Sequence, residues 1–166
     1  PQDVNVMLDP GLAFGTGTHA TTALCLEWLD AHDLGNKTVL DYGCGSGILA
    51  IAAAKLGAQH IWAVDHDPQA LTATANNAAA NAVGSRISLH EPDTLPQVAA
   101  DILLANILAG PLLELAPRFA RMVRPGGDIV LSGILSEQSP ALLEKYQAWF
   151  NMEPAATREE WVRLSG

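Results

Sequence analysis

The residues of this sequence best placed to do chemistry are the three alternating glycines of Asp41-Tyr42-Gly43-Cys44-Gly45-Ser46-Gly47 and a second aspartate, Asp65, closing the next apolar run. Glycine lacks a Cβ, so such a turn reaches positive φ and brings backbone amides close to a ligand at the start of a helix. The spacing selects among ligands. A dinucleotide fingerprint reads G-x-G-x-x-G, and after Gly43 and Gly45 its third glycine position holds Ile48, which disfavours a nicotinamide dehydrogenase. A carboxylate at the carboxyl end of the following parallel strand lies where such a sheet opens its ligand crevice, and it can accept hydrogen bonds from both hydroxyls of a ribose. Taken singly, the glycines are an ordinary tight turn and Asp65 a solvated strand end, with Asp67-Pro68 beside it shaped like a helix N-cap followed by a first-turn proline. Strand, loop, helix, strand and acid in that order favour a binding site.

Asn106 is the next candidate. It ends the run Ile102-Leu103-Leu104-Ala105-Asn106, and its amide offers an acceptor and donors at the sheet edge that also carries Asp41 and Asp65. The plainer explanation is a polar cap on a strand. Metal chemistry is not expected, because Cys25 and Cys44 lack ligand spacing and the five histidines are scattered without an H-E-x-x-H pattern. Both cysteines read as free thiols in a reducing compartment.

These residues need elements to hold them. Apolar periodicity and breakers predict helices over 21–30, 48–56, 68–81, 112–123 and 141–150. Between them lie strands over 39–42, 61–65, 87–90, 101–106 and 128–132, and two short tail strands around 152–157 and 161–164 lie close enough to pair antiparallel. The strand over 101–106 is so apolar that it should bury both faces. The fold class is therefore α/β, a doubly wound, mostly parallel sheet with a C-terminal antiparallel hairpin. Right-handed crossovers place the ends of the strands bearing Asp41, Asp65 and Asn106 along one edge.

Composition sets the outer limits. A chain of 166 residues with 49% hydrophobic content buries one core, so residues 1–166 are expected to form a single domain. Its net charge of -9 repels phosphate backbones and attracts basic proteins, which argues against a direct nucleic-acid partner. The longest apolar run, 48–54, is far short of the roughly 20 residues that span a bilayer, and no secretory signal opens the sequence. No membrane association is expected, and the compartment is expected to be the cytoplasm.

The D-x-G-x-G-x-G loop with Asp65 resembles the cofactor signature of class I S-adenosylmethionine-dependent methyltransferases, which have a Rossmann-like sheet. Three further stretches are similar to the PrmA family of bacterial methyltransferases that modify the eleventh protein of the large ribosomal subunit. These are Ala13-Phe14-Gly15-Thr16-Gly17 followed by His19 and Thr21-Thr22, Ala105-Asn106-Ile107-Leu108 continued by Ala109-Gly110-Pro111-Leu112, and Gly133-Ile134-Leu135. The resemblance runs over essentially the whole chain.

It implies S-adenosylmethionine as cofactor, contacted by Thr22, Gly43, Gly45, Asp65 and Asn106, with Phe14, Thr16 and His19 in a loop that closes over its methionine end. It also implies transfer of methyl groups to lysine ε-amino and/or N-terminal α-amino groups of a basic ribosomal protein, with Asn106 orienting the amine. Family members carry a further N-terminal domain that captures the ribosomal protein. Nothing before Pro1 supplies it, so this chain is expected to be a catalytic domain with weak docking of its own.

Two other readings share these residues: an N-methyltransferase acting on a small molecule or another protein, and a non-catalytic nucleotide-binding module. Amide acceptors are disfavoured, because Asn106-Ile107-Leu108-Ala109 stands where glutamine-modifying relatives show Asn-Pro-Pro-Tyr.

Overall fold

Strands that are apolar on both faces belong at the centre of a sheet, and β1 (Thr38–Tyr42) and β4 (Ala100–Asn106) lie there side by side, Val39 opposite Ile102 and Tyr42 opposite Ala105. The structure is a computed structural model that describes residues 19–166. Phe14 and Thr16 lie outside the described residues. Outward from the centre come β2 (His60–Val64) and β3 (Ile87–His90) on one side, and β5 (Val123–Leu135), β7 (Trp161–Ser165) and β6 (Ala156–Arg158) on the other. The order is β3-β2-β1-β4-β5-β7-β6, with β1 to β5 parallel and the last two strands antiparallel. This is the doubly wound sheet with a terminal hairpin that the alternation of elements predicts.

Side chains alternate across a strand, and the two cores follow from that. Val39, Ile102, Leu104 and Val130 point to the layer of α1 (Ala20–Ala31), α2 (Ile48–Lys55) and α3 (Pro68–Ala80). Leu40, Leu103, Ala105 and Leu131 point to α4 (Ala109–Met122) and α5 (Ser139–Tyr146), against Leu112, Phe119 and Tyr146. On α1 the expected face of Leu24, Trp28 and Leu29 is buried, and the Asp67 carboxylate caps α3 by accepting from the Gln69 amide.

Boundaries differ where tertiary pairing intervenes. The expected strand over 128–132 extends to Val123–Leu135, because Val123 already pairs with Ala100 and Leu135 still pairs with Trp161. Residues 124–127, with Pro125-Gly126-Gly127 among them, thus bulge opposite Asp101 within the strand. Helix α4 begins at Ala109, three residues before the expected 112, since Pro111 fits a first turn whose amides have no helical acceptor. The last helix stops at Tyr146 and the tail strand shrinks to Ala156–Arg158.

Both cysteines are free and buried, and burial pushes the Cys25 thiol up to about 12. Among the described residues, no helix is long and apolar enough to cross a membrane, and no three His, Cys, Asp or Glu side chains cluster to hold a metal ion.

Candidate functional site

The carboxyl ends of β1, β2 and β4 open on a cavity of about 880 Å³. It brings together every candidate within the described residues: His19, Thr22, Gly43, Gly45, Asp65 and Asn106 all line it.

The glycine loop forms one wall. Gly43, Gly45 and Gly47 have φ of 81°, 54° and 85°. The requirement is strictest at Gly43, whose amide bonds to the Val64 carbonyl at 2.7 Å, and where a Cβ would lie 2.5 Å from Cγ2 of Ile107. The far side of the loop is tied to α3. Thr74 Oγ1 donates to the Gly45 carbonyl at 3.1 Å, and Asn77 Nδ2 donates to the Ser46 carbonyl at 2.8 Å. Neither side chain stands out in the sequence, since both belong to a helix that reads only as alanine-rich.

Two carboxylates sit at the adjoining strand ends. Asp65 accepts the Gly45 amide on Oδ2 and the Asp67 amide on Oδ1, each at 3.0 Å. Those bonds fix the carboxylate plane, His66 Nδ1 lies 3.6 Å from Oδ1, and each oxygen has a second lone pair for a further donor. Asp41 shares its face of β1 with Val39, so it turns toward α2, where Oδ2 accepts the Ala50 amide at 3.1 Å. Burial raises its pKa from 3.8 to about 7; the Ala50 bond opposes the rise, and the Asp65 charge adds to it.

The opposite wall is built from α1 and the ends of β4 and β5. Asn106 Nδ2 donates to Thr22 Oγ1 at 3.3 Å, which leaves the carbonyl oxygen of that amide as an acceptor. His19 caps α1: its Nδ1 accepts the Thr21 amide at 3.2 Å, and Thr21 Oγ1 lies 2.9 Å away. Its ring meets Trp161 edge-on, with centroids 5.3 Å apart. Gly133, in the Gly133-Ile134-Leu135 stretch, has φ of 84°, and a side chain there would run into the Ile107 carbonyl beside Asn106.

Trp161 was not expected at the site, having read only as a residue of a tail strand. No local signal marks it; the antiparallel pairing of β7 with β5 carries it to the cavity. Apolar side chains of Tyr42, Ile48, Leu49, Ile107, Pro111 and Leu115 are also part of the lining, and Leu108, another lining residue, is 72% exposed. A cavity with a fixed carboxylate and a Cβ-free loop at one end, and an amide oxygen among apolar groups at the other, can hold a nucleoside and present its far end to a second molecule.

Comparison with known proteins gives a consistent result. Residues 1–166 match the family described as Ribosomal protein L11 methyltransferase (PrmA). Ribosomal protein L11 methyltransferases of Aeromonas salmonicida and Actinobacillus succinogenes are each 59% identical over 167 aligned positions, covering 100% of this chain and 57% of the relative. The chain therefore spans a little over half the length of the curated relatives it matches. A crystal structure of ribosomal protein L11 methylase from Lactobacillus delbrueckii subsp. bulgaricus superposes with a TM-score of 0.85 at 37% identity, covering 95% of this chain and 82% of that one. The fold with its seven-stranded order, the glycine loop facing Asp65, and a match over every residue together make this chain a member of the ribosomal protein L11 methyltransferase (PrmA) family.

Proposed function

We propose that residues 1–166 form the catalytic domain of an S-adenosylmethionine-dependent N-methyltransferase that modifies lysine ε-amino and/or N-terminal α-amino groups of ribosomal protein L11 in the cytoplasm. The observation that carries this reading is the convergence of Asp65, the glycine loop, Thr22 and Asn106 on one cavity of about 880 Å³. That volume lies within the range of cofactor sites. The residues fit the cofactor: Asp65 offers free lone pairs for two ribose hydroxyls, and the Gly43 and Gly45 backbone is open to close approach.

When bound, S-adenosylmethionine supplies an electrophilic methyl group on a sulfonium. The protein's task is then to position an amine and strip it of water. Asn106, whose amide nitrogen is engaged by Thr22, keeps an oxygen that can accept a hydrogen bond from the amine and aim its lone pair. A lysine amine has a reference pKa of about 10.4 and must first lose a proton, and desolvation in a pocket walled by Tyr42, Ile107 and Trp161 favours its neutral form. The net charge of -9 suits a basic acceptor protein and disfavours a direct nucleic-acid partner.

The test is incubation with labelled S-adenosylmethionine and purified L11, using this chain alone and fused behind the further N-terminal length of a relative. Weak labelling by the chain alone and strong labelling by the fusion are expected, because fusion raises the effective concentration of the acceptor. Efficient methylation of a small amine, with no gain for L11 on fusion, would favour the small-molecule reading instead. Cofactor binding without transfer to any amine, even in the fusion, would leave a binding module.

A further inference from the structure

We infer that Ser132 is a positioning residue for the cavity: from β5 it holds the first turn of α1 so that Thr22 meets Asn106. The inference rests on the cofactor reading above.

Alternation along β5 places Leu131 on the α4 side and Ser132 on the α1 side, directly opposite Asn106 in the parallel register. Ser132 is 0% exposed, and a hydroxyl so buried must be bonded. It donates to the Thr21 carbonyl at 2.9 Å. One residue further along α1, Thr22 Oγ1 accepts from Asn106 Nδ2 at 3.3 Å.

Two adjacent strand ends therefore grip two consecutive residues of the helix. The grips differ in strength. At 3.3 Å the Thr22–Asn106 bond is near the limit of useful length, so a displacement of a few tenths of an ångström abolishes it, whereas the Ser132 bond is close to ideal. Other ties join α1 to the hairpin: the ring of the N-cap His19 meets Trp161 with no hydrogen bond between them, and the polar ties lie further along the helix. Arg163 Nη1 donates to the Leu24 carbonyl at 2.7 Å, and Arg158 pairs with Glu27 on the surface at 2.6 Å. Loss of the Ser132 hydroxyl should leave the helix docked while its first turn drifts from Asn106.

The experiment is a double-mutant cycle read by calorimetry with S-adenosylhomocysteine as the probe. Ser132→Ala should weaken binding about fivefold, the worth of one ordinary hydrogen bond, and should speed hydrogen exchange in the first turn of α1. In a Thr22→Val background the same change should cost less than twofold, since the bond it protects is already gone. Ser132→Cys, nearly isosteric with a weaker donor, should fall between the two, and it carries the test if the alanine variant does not fold. Full-strength binding by folded Ser132→Ala or Ser132→Cys, or losses that add in the cycle, would overturn the inference alone. Failure of the unsubstituted chain to bind the probe would overturn the cofactor reading and this inference together.

Discussion

Asp65 and Asp41 end neighbouring strands in contrasting surroundings, and their contrast yields two predictions. Asp65 is held by two backbone amides and keeps lone pairs for a ligand, so it should act as a charged acceptor. Hydrogen bonds to charged groups are worth roughly 1.5–3 kcal/mol, and Asp65→Ala should weaken S-adenosylhomocysteine binding by about one to two orders of magnitude in calorimetry. Unchanged affinity in a folded variant would place Asp65 outside the site. Asp41 has a folded pKa raised from 3.8 to about 7, chiefly by burial. The folded state therefore holds a proton that the unfolded chain has released. Its contribution is complete below about pH 4 and is lost as pH rises through about 7, a change on the order of 4 kcal/mol. Asp41→Asn keeps an acceptor for the Ala50 amide and cannot ionise, so between pH 5 and 7 the urea midpoint of the parent should fall relative to that of the variant. Parallel slopes would contradict this account. At this scale Asp65 and Asn106 were legible because a polar residue at the end of an apolar strand stands out. Ser132 was not, because a serine in a strand announces nothing until its partner on another element is known.

Helix α3 carries Thr74 and Asn77 three residues apart, and Asn81, four residues further on, is its C-cap. All three are buried: Thr74 and Asn77 face the glycine loop and donate to its carbonyls, while Asn81 Nδ2 donates back to the Asn77 carbonyl at 2.7 Å. Adjacent asparagines provide a direct comparison: Asn77 is buried and bonded to the Ser46 carbonyl, and Asn76 is exposed. Asn77→Ala should lower stability by about 1–3 kcal/mol and also weaken cofactor binding by loosening the loop, whereas Asn76→Ala should change neither. Equal effects of the two substitutions, followed by urea unfolding and calorimetry, would refute a bracing role for α3. The order of the main helices and strands was legible, since β1, β2 and β4 are short, largely apolar runs between breakers. The extent of β5 was not, because its ends are set by Ala100 on one neighbour and Trp161 on another, both distant in sequence.

Across the whole molecule, the sheet order turns a linear alternation into a cavity. The strand order reverses between the parallel neighbours β1 and β4, which opens the crevice as in other doubly wound sheets; that the strand ends share this edge follows from the sequence. The hairpin's contribution does not. Trp161 reaches His19 only because β7 runs antiparallel into the edge left by β5, a pairing that no local pattern specifies in register. The cavity is lined by residues of α1, of the strand ends and of β7 among the described residues of this chain. The central claim is therefore testable on the chain as it stands, by titrating it with S-adenosylmethionine, S-adenosylhomocysteine and NADH in a calorimeter. Saturable binding of the first two and none of NADH is the predicted result; binding of NADH without either sulfur compound would contradict the account.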